Sequence, residues 1–162
     1  MTTQKISRVQ YMLWWIIFVQ ALVATLGSLY YSSYGDPAVN ILAGQIFHPY
    51  GGFIPCSLCW YARILMYPIT IISLIGILKK DKRFTDYILI QSLVGIGLEI
   101  FHYTIQHVKL PIDMPCTLES PCTALQVNYL GFITIPFLCL VAFIVIFVAS
   151  VLNMYLNKKA AK

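Results

Sequence analysis

Residues 127–156 read VNYLGFITIPFLCLVAFIVIFVASVLNMYL and contain no Asp, Glu, Lys or Arg. A bilayer's hydrocarbon core is about 30 Å thick and needs about 20 helical residues to cross it, so this run is long enough to span. Three more stretches of that kind lie upstream. They run from about Val9 to Tyr31 with no charge, from about Leu58 to Leu78 with Arg63 alone, and from about Phe84 to His107 with Asp86 near one end and Glu99 inside. Backbone groups in lipid must be satisfied within their own segment, which predicts four α-helices. The whole chain agrees: of 162 residues 59% are hydrophobic and only 10% charged, with a mean hydropathy of +0.78. That balance excludes a soluble globular enzyme and a disordered chain. The expectation is an all-α membrane protein, one four-transmembrane-helix bundle over residues 1–162. The first span is too long for the apolar part of a cleavable leader, and Gly27-Ser28 is a weak cleavage cue.

Lysine and arginine set the orientation. Lys5 and Arg8 precede the first span, Lys79, Lys80, Lys82 and Arg83 fill the hinge between the second and third, and Lys158, Lys159 and Lys162 end the chain. Four crossings place all of these on one side, leaving Lys109, with Arg63 just inside the membrane, on the other. Both termini are therefore expected in the cytoplasm and two longer loops, about Ser32–Ser57 and Val108–Gln126, outside. The net charge of +5 thus reports topology, and no nucleic-acid partner is expected. Between Pro37 and Phe47, Val39, Leu42, Ala43, Ile46 and Phe47 recur at near-helical spacing, which fits either a short interfacial helix or an irregular apolar loop.

Four of the five cysteines fall on the outer side, where disulfides persist. Cys56 and Cys59 form a Cys-x-x-Cys at the mouth of the second span. Cys116 and Cys122 lie in the second outer loop. Cys139 sits among Phe137, Leu138, Leu140 and Val141 and reads as a small buried hydrophobe. Pro55 favours a helix start beside Cys56, which puts Cys56 and Cys59 one turn apart and within bridging reach. The free amides of a helix N-terminus stabilise a thiolate, and Arg63 adds a positive charge in phase with Cys59. A bridge closing so short a loop removes little chain entropy, so the pair reads as reactive. Zinc sites also use this spacing. Cys116 and Cys122, each preceded by a proline, fit either a loop staple or a second dithiol in exchange with the first.

Ionisable groups inside a bilayer are costly and are functional candidates by default. Arg63 and His102 each lie roughly 7–8 Å inside the outer end of their helices at 1.5 Å per residue, and Glu99 lies one turn deeper on the face of His102. Their matching depth predicts one polar pocket beneath Cys56 and Cys59. The competing arrangement is an Arg63–Glu99 pair that merely holds helices together. A thiol oxidase needs a terminal acceptor, and at this depth the natural one is a lipid quinone, with Arg63 stabilising its developing charge and His102 donating a hydrogen bond or a proton.

The run Pro55-Cys56-Ser57-Leu58-Cys59-Trp60-Tyr61-Ala62-Arg63 resembles the signature of the DsbB family of bacterial membrane disulfide-formation proteins. The resemblance covers nearly the whole chain, with four spans, paired cysteines in the same loops, and His102 within Gly95–Gln106 at the family's histidine position. The short Cys116–Cys122 spacing is more similar to the compact BdbC-type branch than to the longer proteobacterial form. The resemblance implies a thiol:quinone oxidoreductase of the bacterial plasma membrane, with ubiquinone or menaquinone as cofactor and an extracytoplasmic thioredoxin-fold (DsbA-like) oxidase as partner. Cys56 and Cys59 match the quinone-proximal pair, Cys59 the cysteine that meets the quinone. Cys116 and Cys122 match the pair that exchanges with the oxidase, Cys116 the one that forms the mixed disulfide. Arg63 and His102 match quinone-binding residues. Glu99 matches no family role and joins them on position alone.

Two rivals remain on sequence, and a third, a tetraspan structural protein with disulfide-stapled loops, would not need Arg63 in phase with Cys59. A vitamin K epoxide reductase-like enzyme carries its Cys-x-x-Cys after the loop cysteines, whereas here it comes first. A membrane metal-binding or transport protein could use four cysteines on one face, but along the chain no histidine stands beside either pair.

Overall fold

The computed structural model describes residues 7–42, 52–108, 122–123 and 125–160. The helices are α1 (Arg8–Tyr34), α2 (Pro37–Leu42), α3 (Ser57–Lys79), α4 (Phe84–His107) and α5 (Ile135–Ala160). Four of them, α1, α3, α4 and α5, are long and apolar enough to cross a membrane. Among the described residues there is no strand, only an isolated bridge between Tyr129 and Ile133. The all-helical four-span bundle expected from sequence is therefore present.

One boundary differs from expectation by more than a turn of helix. The fourth span starts at Ile135, not near Val127, because the chain first turns through Leu130 and Gly131, both at positive φ. Hydropathy alone does not register that turn, since its residues are themselves largely apolar. The short apolar segment after Pro37 is helical through Leu42; positions 43–47 lie outside the described residues.

The long helices form a ring. α1 packs on α3 and α5, and α4 packs on α3 and α5, so α1 and α4 face each other across the diagonal. Each helix buries one face, on which small and polar residues stand among large apolar ones such as Trp14 and Phe143. Along α4 the buried positions are Phe84, Thr85, Ile88, Ser92, Gly95, Glu99, His102 and Ile105, a single face repeating about every three to four residues. In lipid the hydrophobic effect does not drive helices together, so close packing and interhelical hydrogen bonds must. Gly95 shows the packing: a Cβ there would lie 2.5 Å from two ring atoms of Phe143, which is wholly buried in the core with Trp14, Ile17, Ile69 and Ile88.

Hydrogen bonds fasten the end that carries the termini and the α3–α4 hinge. Gln10 donates to Asn157 Oδ1 at 2.7 Å, Trp14 Nε1 donates to Asn153 Oδ1 at 3.1 Å, and Asn153 Nδ2 donates to Thr85 Oγ1 at 2.9 Å. Asn153 thus links α1, α5 and α4, and it is fully buried. Asn153→Ala is expected to destabilise the bundle by about 1–3 kcal/mol, two interhelical bonds at the strengths seen in membranes. Urea or SDS unfolding in mixed micelles measures it. At the hinge, Lys80 adopts a left-handed conformation and its amide returns to Gly76 and Ile77, which stops α3. The cysteines lie at the opposite end.

Candidate active site

The chain reaches the site through residues 52–56. Gly52 lies against the end of α1, where a Cβ would meet the Ser32 carbonyl. Phe53 N–H donates to Tyr31 O at 2.9 Å, and Gln126 Nε2 donates to Ile54 O at 3.0 Å. Pro55 then leads into Cys56, which caps α3: its Sγ accepts the Cys59 N–H at 3.3 Å. A sulfur thus fills the role usually taken by a serine or aspartate oxygen at a helix start.

Cys59 sits one turn on, and the two sulfurs are 2.9 Å apart. Neither is in a disulfide. Cys56, at the helix mouth, is pushed well below the usual thiol range. The hydrogen bond with the Cys59 thiol is the largest cause, burial opposes it, and His102 and the Cys59 amide add to it. The helix start therefore favours an anionic sulfur at Cys56 more directly than at Cys59, the residue the sequence emphasises.

α4 supplies the next layer. His102 Nε2 lies 3.7 Å from Cys56 Sγ, and His102 Nδ1 lies 3.6 Å from Glu99 Oε2. Both side chains are buried. Neither Glu99 oxygen has a hydrogen-bond partner among the described residues. Arg63 is held from α1. Its Nε donates to Ser28 Oγ at 2.9 Å, and its Nη2 donates to Ser28 O at 3.2 Å and to Ser32 Oγ at 2.8 Å. The guanidinium also lies 5.2 Å over the Trp60 ring.

These groups meet in one cleft among the four long helices. Cys59, Arg63, Glu99, His102 and Cys139 line it, with Met66 and Phe143 among its apolar walls. The pocket expected at matching depth therefore exists, and Arg63, Glu99 and His102 are all in it. A smaller cleft beside it is lined by Cys56, Cys59, His102 and Cys122. Cys122 is buried and disulfide-bonded and packs in one cluster with Cys56 and Leu58. Cys116 lies outside the described residues.

The competing arrangement falls, and one statement made from sequence changes. Arg63 and Glu99 do not pair among the described residues; the arginine is satisfied by serines and Glu99 faces His102. Cys139, read as a small buried hydrophobe, also lines the cleft wall. The statement that no histidine stands beside a cysteine pair holds along the chain and fails in space, because α4 carries His102 to Cys56. Sequence reasoning also missed Ser28 and Ser32. Their spacing of four, at the depth of Arg63, is a signal that could have found them.

The known proteins that resemble this chain are disulfide-formation proteins. A family profile described as "Disulfide bond formation protein DsbB" matches residues 8–153. The chain is similar to a "Probable disulfide formation protein" of Oceanobacillus iheyensis, at 40% identity over 139 residues, 85% of each chain. It is also similar to "Disulfide bond formation protein C" of Bacillus subtilis, at 41% identity over 132 residues, 81% of this chain and 84% of the relative. The SPbeta prophage-derived disulfide bond formation protein B of that organism is 38% identical over 133 residues, 82% and 78% of the two chains. No solved structure matches.

Proposed function

This chain belongs to the DsbB family of disulfide bond formation proteins, and we propose that it is a membrane thiol:quinone oxidoreductase that reoxidises an extracytoplasmic thioredoxin-fold oxidase. The observation that carries this reading is the cleft in which Cys59, Arg63 and His102 share one apolar-walled space. The residues fit a quinone: aliphatic and aromatic walls for its ring, and a guanidinium and, once protonated, an imidazolium to donate to its oxygens.

The partner's dithiol attacks the Cys116–Cys122 disulfide through a mixed disulfide and leaves oxidised. The loop dithiol so formed then reduces the Cys56–Cys59 disulfide, an exchange supported by the packing of Cys122 against Cys56. Cys56 and Cys59 are left as a dithiol carrying two electrons and two protons. A lipid quinone, ubiquinone or menaquinone, supplies the acceptor for both when bound. Cys59 presents its sulfur to the cleft. Arg63 is placed to stabilise negative charge developing there, because its own contacts are neutral serine oxygens. His102 is placed to take a proton from Cys56 at Nε2. Both rivals are weakened by the family membership, and the order of the cysteine pairs also weighs against the vitamin K epoxide reductase-like enzyme.

Purified protein mixed with a reduced thioredoxin-fold oxidase and a short-chain quinone tests the proposal: quinone reduction must follow oxidation of the partner. Arg63→Ala is expected to raise the apparent KM for quinone about 10- to 100-fold, the loss of hydrogen bonds from a charged donor. Its effect on the rate of thiol exchange with the partner should be much smaller. Stopped-flow quinone absorbance and partner fluorescence measure the two separately.

A further inference from the structure

A carboxyl group in the membrane interior needs a reason, and Glu99 has no structural one among the described residues. It is 1% exposed, neither oxygen accepts a hydrogen bond, and the nearest arginine is held by Ser28 and Ser32. Among the described residues it faces His102 Nδ1 at 3.6 Å, while His102 Nε2 lies 3.7 Å from Cys56 Sγ. Sulfur, imidazole and carboxyl thus stand in a line from the helix mouth to the cleft wall.

We propose that Glu99 is a positioning residue that orients His102 with Nδ1–H toward its carboxylate, keeps Nε2 free as the base for Cys56, and stabilises the imidazolium formed when the Cys56 proton arrives. The proposal rests on the thiol:quinone reading and adds to it a role for a residue outside the family signature. A carboxylate behind an imidazole fixes the tautomer and offsets the charge the ring acquires. When the dithiol is oxidised, the two S–H bonds break, an S–S bond forms and the electron pair passes to the quinone. The Cys56 proton moves to His102 Nε2 and from there to one quinone oxygen. The Cys59 proton goes to the other. His102 ends each turnover neutral with Nδ1–H still facing Glu99, so the line resets without a ring flip.

Other titratable groups facing this line are Cys59, Arg63 and Tyr67 on α3, Tyr31 on α1 and Cys139 on α5. None of them links His102 to a carboxylate.

The test uses full-length, reduced, quinone-free protein in detergent. The rate of Cys56 alkylation by iodoacetamide is followed against pH, with mass spectrometry resolving the Cys56 peptide. Glu99→Gln is expected to raise the pH midpoint by one unit or more and to slow alkylation at neutral pH about tenfold. Glu99→Asp should restore part of the shift. In a His102→Gln background, Glu99→Gln should add nothing, since residues acting as one unit are non-additive. The sign discriminates. If Glu99 acted only as a nearby negative charge, removing it would ease ionisation of Cys56 and lower the midpoint. A midpoint that falls or stays put in Glu99→Gln, or a shift that survives without His102, overturns the proposal. Thermal unfolding of each variant separates misfolding from chemistry, and Glu99→Asp keeps the test open if Glu99→Gln does not fold. Wild-type quinone reduction is run alongside: its absence defeats the thiol:quinone reading, whereas a normal rate with an unmoved midpoint defeats only the role of Glu99.

Discussion

A Cys59→Ser chain is expected to reduce no quinone and to accumulate a covalent link between Cys56 and the second outer loop. Without Cys59, the Cys56 thiolate still sits at the start of α3, with the helix amides and His102 favouring its ionisation. It can attack the loop disulfide that it packs against. The displaced loop cysteine leaves as a thiolate, and forward resolution fails because the second sulfur, 2.9 Å away in the native chain, is gone. Non-reducing gel mobility and peptide mapping would show the trapped species. Unimpaired quinone reduction by this variant would end the relay reading.

Gly95→Ala is expected to act on stability and on the cleft together. A new Cβ would stand 2.5–2.7 Å from three atoms of the Phe143 ring. Alanine in place of glycine favours a helix by about 1 kcal/mol. Overpacking a tight core costs about 1–3 kcal/mol, and here the obstructing group is a fully buried ring with little room to yield. The net effect should be destabilising, and Gly95→Val should be worse. Because Phe143 also walls the cleft, the ring's retreat should narrow it, weakening apparent quinone affinity about tenfold, a loss of roughly 1.4 kcal/mol. Unfolding in mixed micelles and quinone titration measure the two effects. Retained stability with lost affinity would mean that the ring moved and the core did not.

Much of this was legible before any coordinates. The charge-free runs give the four spans because hydropathy is summed over many residues. Cys56, Cys59 and Arg63 are legible because their spacing lies within a single helix. What escapes is azimuth. The sequence gives the depth of Glu99, His102, Arg63 and Cys139 along their own helices, but how each helix is rotated against its neighbours depends on packing contacts such as Gly95 against Phe143. Depth alone therefore leaves an Arg63–Glu99 pair open, while rotation decides that Arg63 meets Ser28 and Ser32 and that His102 meets Cys56. The late start of α5 escapes for a different reason. Tyr129–Ile133 is apolar enough to extend the run, and only backbone geometry reveals the turn.

The polar ties from Gln10, Trp14 and Asn153 all gather far from the sulfurs. The root of the bundle is thus tied across three helices, while the bonds of Arg63 beside the sulfurs join only α3 to α1. Sulfur exchange needs small excursions at the tips, and a locked base lets them happen without loosening the barrier that the same four helices must maintain against ion leakage.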